Sequence, residues 1–178
     1  MAVALAALPL EGPGAVVLAV GCDDAKVRLF TGSAAGDLVA VVELTGHADW
    51  VRTVCFARHL GGSDLLLASG SQDMYIRLWR ISRRATAEDA AAAAAAAGTV
   101  ALSFRERAAQ RLRKTFVAEG CGLAEYEVKL EALLAGHEGW VYSVRWHPSL
   151  PGSCSLCACE HGVGGGIGAG GARVRGWR

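Results

Sequence analysis

The chain has 178 residues, 52% of them hydrophobic and 20% charged, with a formal net charge of +1 at pH 7. That is the length of about one domain, and too apolar for wholesale disorder. The near-neutral balance excludes a general electrostatic footprint for nucleic acid, anionic membranes or acidic partners.

The opening stretch, residues 1–14, is apolar but has no basic residue ahead of its apolar part, so no secretory signal is expected. No run approaches the roughly 20 apolar residues that span a bilayer. The cysteines at 22, 55, 121, 154, 157 and 159 follow no regular spacing. They read as reduced thiols of a cytoplasmic protein, with the nucleus as a second location.

From Ala15 the chain becomes repetitive. An apolar run, Val16–Val20, leads into GCDDAKVRLF (Gly21–Phe30), and a second run, Leu65–Ser69, leads into GSQDMYIRLW (Gly70–Trp79). Each predicts a strand, a tight polar turn and another strand. A second pair, GHADWVRTVCF (Gly46–Phe56) and GHEGWVYSVRW (Gly136–Trp146), opens two units, and further strands are predicted over Leu38–Leu44 and Val128–Leu134. The offsets of the two pairs differ because residues 83–124 interrupt the period without a strand pattern. Four short antiparallel strands per unit make the blade of a β-propeller.

Gly-His, an apolar strand, a Ser-x-Asp turn and a strand ending in Trp together resemble the WD-repeat family, best between Gly46 and Trp79. The resemblance implies a hydrogen-bonded chain inside the blade, which by residue match is His47, Ser71, Asp73 and Trp79. Ser, His and Asp also invite comparison with a hydrolase triad. The repeat context and the lack of a G-x-S-x-G turn favour a structural role. The first copy puts Cys22 and Phe30 where Ser71 and Trp79 stand, as packing tolerates and chemistry does not.

The chain is expected to be all-β: about two to three blades over residues 15–82 and 125–148, too few to close a ring. The insertion, residues 83–124, predicts two helices. One follows the capping box at Thr86 and runs through the alanine tract to Gly98. The other spans Ser103–Phe116, with an apolar stripe of Phe104, Ala108, Leu112 and Phe116. Its basic residues, Arg105, Arg107, Arg111, Arg113 and Lys114, are the candidate RNA-contacting set, against the plainer reading of a solvated helix.

After Pro148 the strand pattern stops, and residues 149–178 read as a disordered, glycine-rich tail foreign to the fold. Cys154, Cys157, Cys159 and His161 have no second ligand pair, and the tail's glycines lack the flanking strand and helix of a dinucleotide site. No metal, cofactor or catalytic residue is expected. Trp50 and Trp140, just after each Gly-His, with Arg52 and Tyr142 two residues on, are the candidate partner-binding rim, since Trp, Tyr and Arg anchor interfaces.

The ordered set GHxDWVR, SQD, long insertion and LAGHExWVxxVxWxP is similar to the Elongator scaffold branch of the WD-repeat family. That resemblance implies a non-catalytic subunit. Its partners would be the catalytic acetyltransferase-like subunit and the largest subunit of an assembly that modifies tRNA wobble uridines, with tRNA contact indirect. The alternatives are another WD-repeat adaptor, or an RNA-contacting propeller using the basic insertion.

Overall fold

The computed structural model describes residues 1–8, 15–33, 36–59, 64–84, 113–118, 124–146, 154–161 and 171–177. The expected helix following Thr86, and residues 103–112 of the expected second helix, lie outside them. Every regular element among the described residues is a strand, in three antiparallel sheets.

The first sheet has the order β1-β2-β3-β4: β1 (Ala2–Ala7), β2 (Ala15–Gly21), β3 (Val27–Ser33) and β4 (Val39–Leu44). In β2, AVVLAVG alternates fully buried and half-buried positions, the period of a pleated strand. Residues 1–14, which the sequence sets apart as a flank, supply β1, registered from Ala2 opposite Gly21 to Ala7 opposite Val16.

The second sheet comprises β5 (Val51–Arg58), β6 (Leu65–Ser71), β7 (Ile76–Arg83), β8 (Lys114–Ala118) and β9 (Ala124–Leu134), in the order β5-β6-β7-β9-β8. The insertion leaves after β7 and returns as β8 on the outer edge of β9, with Phe116 opposite Tyr126. This corrects the end of the expected helix. Phe116 and Ala118 alternate inward, Phe116 stacks on Tyr126 with ring centroids 5.3 Å apart, and β9 supplies the backbone partners a helix would have found within itself.

The third sheet is β10 (Trp140–Trp146), β11 (Cys154–His161) and β12 (Gly171–Trp177). The sequence after Pro148 has almost no strand signal, yet β11 pairs with β10 from Trp140–His161 to Trp146–Leu156. Here the expectation of a tail without strands is corrected. A neighbouring strand with unpaired backbone groups outweighs weak propensity.

The strands β1, β5 and β10, which begin their blades, lie side by side, so the sheets are successive propeller blades, without a closed ring among the described residues. Faces of neighbouring blades make the core. Val17, Val27, Leu29 and Leu44 of the first blade bury against Val51, Leu65, Leu67 and Trp79 of the second, while Ala68, Ile76 and Leu78 meet Val141 and Val144 of the third. The middle blade is covered on both faces. This explains why every residue of β6, LLLASGS, is buried, and why its sequence does not alternate.

A repeated contact sets the blade spacing. A β-carbon on Gly21 would fall 2.7 Å from Val51 Cγ1, and one on Gly70 would fall 2.6 Å from Val141 Cγ1. Each glycine is the hollow that receives the next blade's valine. Two hydrogen bonds also cross the second seam, from Val144 N–H to Thr53 Oγ1 (3.2 Å) and from Trp146 Nε1–H to the Cys55 carbonyl (2.9 Å).

Candidate partner-binding rim

Gly46 has φ of +144° and Gly136 +114°, a region that favours glycine, and the histidine that follows Gly46 is buried. His47 Nδ1 meets Asp73 Oδ2 at 2.8 Å and His47 Nε2 meets Ser69 Oγ at 2.9 Å, while Trp79 Nε1–H donates to the same hydroxyl at 3.0 Å. One set of protons satisfies the whole row: Nδ1–H donates to Asp73, Ser69 O–H donates to Nε2, and Trp79 donates to Ser69.

Asp73 carries more than the histidine. Its Oδ2 accepts from Ala48 N–H at 3.0 Å and from Arg77 Nη1 at 3.2 Å, and its Oδ1 accepts from Tyr75 N–H at 3.0 Å. Burial opposes the charged carboxylate, but the Ala48 N–H and His47 outweigh it and hold its pKa below the ordinary value. His47 is also lowered, chiefly because burial disfavours the imidazolium; Asp73 pulls the other way without reversing the sign. The pair rests as neutral imidazole and carboxylate near neutral pH.

The sequence expectation named Ser71 for this row, and the structure corrects it to Ser69. Both serines lie on one face of β6, but Ser71 is one pleat nearer the turn. There it donates to the Asp49 carbonyl at 2.8 Å and accepts from Asp73 N–H at 3.1 Å. Ser71 therefore shapes the turn, and the row itself is Asp73, His47, Ser69 and Trp79. A signal for Ser69 existed in the first copy, where Val20 matches Ser69 and Phe30 matches Trp79. Donor and acceptor disappear together there, so neither is stranded. The Asp–Arg pair persists in both copies, as Asp24 with Arg28 and Asp73 with Arg77.

The same turn supports the rim. Gln72 N–H donates to the Trp50 carbonyl at 3.0 Å, clasping the Gly-His loop to the hairpin. Trp50, Arg52, Trp140 and Tyr142 come together across the seam between the second and third blades. Arg52 Cζ lies 4.7 Å from the Trp50 ring centroid and 5.9 Å from that of Tyr142, and the Trp140 and Tyr142 rings are 6.0 Å apart. The aromatic rings stay open to solvent, with Trp50 47% exposed, Trp140 36% and Tyr142 39%.

The basic set of the insertion is only partly described. Arg105, Arg107 and Arg111 lie outside the described residues. Arg113 Nε pairs with Glu127 Oε1 at 2.8 Å, and Lys114 begins β8 on an exposed position. Cys154, Cys157, Cys159 and His161 are in β11, whose side chains also lie outside the description.

The family model described as WD domain, G-beta repeat matches residues 38–80 and 128–159, the second match running past Pro148 into β11. Among curated relatives, Elongator complex protein 2 of Arabidopsis thaliana is 35% identical over 82% of this chain and 16% of its own length. The proteins of the same name from Danio rerio and Drosophila melanogaster are 39% identical over 83% of this chain and 42% identical over 59%. The alignments cover 16% of the zebrafish protein and 12% of the fly protein, so the chain spans a small part of the relatives it matches.

Proposed function

As a WD-repeat chain similar to Elongator complex protein 2 over most of its length, we propose that this protein is a stretch of a non-catalytic scaffold of the Elongator type. Its work is positioning: rigid blades hold loop-rim side chains against partner subunits, and chemistry takes place elsewhere. The partners in this reading are the catalytic acetyltransferase-like subunit and the largest subunit, and the process served is tRNA wobble-uridine modification. The cytoplasm is the expected location, with the nucleus second.

The observation that carries the reading is the similarity to one named subunit across 82–83% of the chain, through both Gly-His units and across the insertion. The Ser–His–Asp set supports it from the other side. Ser69 accepts from Trp79 and His47 is buried, so this hydroxyl is a fixed strut rather than an exposed nucleophile. The RNA-contacting alternative has less support, since Arg113 is engaged by Glu127.

Affinity purification of the tagged polypeptide from cells tests the proposal. Co-purification of the catalytic and largest Elongator subunits, resistant to nuclease, is expected. Their absence from the eluate overturns it.

A further inference from the structure

We propose that the rim between the second and third blades is a docking site for a short peptide presenting one carboxylate beside a bulky apolar side chain. The proposal rests on the reading of the chain as an assembly scaffold and adds the chemistry of what the rim receives.

Charge points to the carboxylate. Arg28, Arg77, Arg80, Arg84 and Arg113 each pair with an aspartate or glutamate of the chain. Arg52 has no such ion pair among the described residues. With the Gln72 amide turned so that its nitrogen donates to Asp49 Oδ1 at 3.3 Å, the orientation that satisfies both of its ends, its oxygen accepts from Arg52 Nε at 3.0 Å and Nη2 at 2.6 Å. An amide oxygen orients a guanidinium without neutralising it. No carboxylate of the described residues closes an ion pair with Arg52 and Nη1 is unused by Gln72, and a carboxylate is the ligand that matches a guanidinium fork.

Preorganisation points the same way. Arg52 is held between Trp50 on its own strand's entry loop and Tyr142 on the next blade, so little side-chain freedom remains to be lost on binding. Trp140, tilted at 42° to Tyr142, extends the aromatic surface beside the cation. A ligand with one acid and one apolar group meets both. A nucleic-acid backbone fits less well, because it draws on several cations at once. Among the described residues the patch offers one, with Asp49 and Glu138 on the same loops.

The test uses the full 178-residue chain carrying 5-fluorotryptophan, titrated with a Gly-Ser decapeptide bearing Glu-Phe at its centre. Controls are the same peptide with Gln-Phe and a ten-nucleotide uridine RNA. The resonances of Trp50 and Trp140, assigned by single Trp→Phe replacements, are expected to shift with Glu-Phe. Gln-Phe should bind at least tenfold more weakly. Arg52→Gln should lose the preference and Arg52→Lys should retain part of it, both read in folded protein, with an unchanged resonance of the buried Trp79 as the control. Equal response to the two peptides, preference for the RNA, or no shift at Trp50 and Trp140 overturns the docking site. If the peptide binds selectively while Elongator subunits fail to co-purify, the scaffold reading falls and the site stands. The reverse pair of results removes only the site.

Discussion

Val141 occupies the hollow left by Gly70: a β-carbon there would lie 2.6 Å from Val141 Cγ1, and 2.8 Å from both Thr53 Cγ2 and Val144 Cγ2. Gly70→Ala should therefore destabilise the chain by about 1–3 kcal/mol through overpacking at the blade seam. Adding Val141→Ala should recover part of the loss, because the two changes share one space. Equilibrium denaturation of both variants checks this, and strictly additive losses would count against the seam.

Ser69→Ala should cost about 1–3 kcal/mol, since it strands the buried Trp79 Nε1–H and His47 Nε2 together. In a double-mutant cycle with Trp79→Phe, Ser69→Ala should couple, because the double variant recreates the Phe30 type of blade in which no donor is left waiting. Ser71→Ala should add independently of Trp79→Phe, as its hydroxyl serves Asp49 and Asp73. Coupling to Ser71 instead of Ser69 would return the row to the residue the motif suggested.

That serine shows where the sequence was legible and where it was not. Repetition of G-x-x-D turns and Gly-His openings revealed the blades, because inter-blade glycines and turn aspartates recur with the period. Ser69 and Ser71 share one face, so periodicity cannot separate them; only the paired loss at Val20 and Phe30 could. The first strand escaped because Val3 and Leu5 point outward, 55% and 62% exposed, while the small alanines between them face the core. The alternation is inverted in size. β8 was hidden because Phe116 fits both a four-residue stripe and a two-residue alternation, and β9 decides between them. β11 draws its order from pairing with β10, and β12 from pairing with β11. The rim aromatics were visible, but their meeting across a seam, with Arg52 between them, required the fold.

Acid should loosen the second blade. His47 and Asp73 both have folded pKa values below their ordinary values of 6.5 and 3.8. Each therefore contributes stability that is complete above its ordinary value and is lost as pH falls through the folded one. Tm should decline as pH drops below 6.5, with a second decline below 3.8. His47→Gln should lower Tm at pH 7 yet flatten the first decline. A parallel profile for the variant would remove His47 from the account.

Met74 adopts φ of +68°, as Ala25 does at +63° in the matching turn. A bulky side chain is strained there, while asparagine tolerates the conformation. Met74→Asn should stabilise the chain by on the order of 0.5 kcal/mol, and Met74→Val should destabilise it by about 1 kcal/mol. Chemical denaturation midpoints at constant m-value report both, and the opposite order would contradict the turn geometry.

The scaffold claim stands most directly on one comparison: quantitative co-purification of the catalytic and largest Elongator subunits with the tagged polypeptide and with its Trp50→Ala, Trp140→Ala double variant. Both indoles are exposed, so folding should be unaffected and an unchanged Tm serves as the control. The account predicts that the parent retains the subunits and that the rim variant recovers at least tenfold less. Equal recovery by the two, or none by the parent, would contradict it.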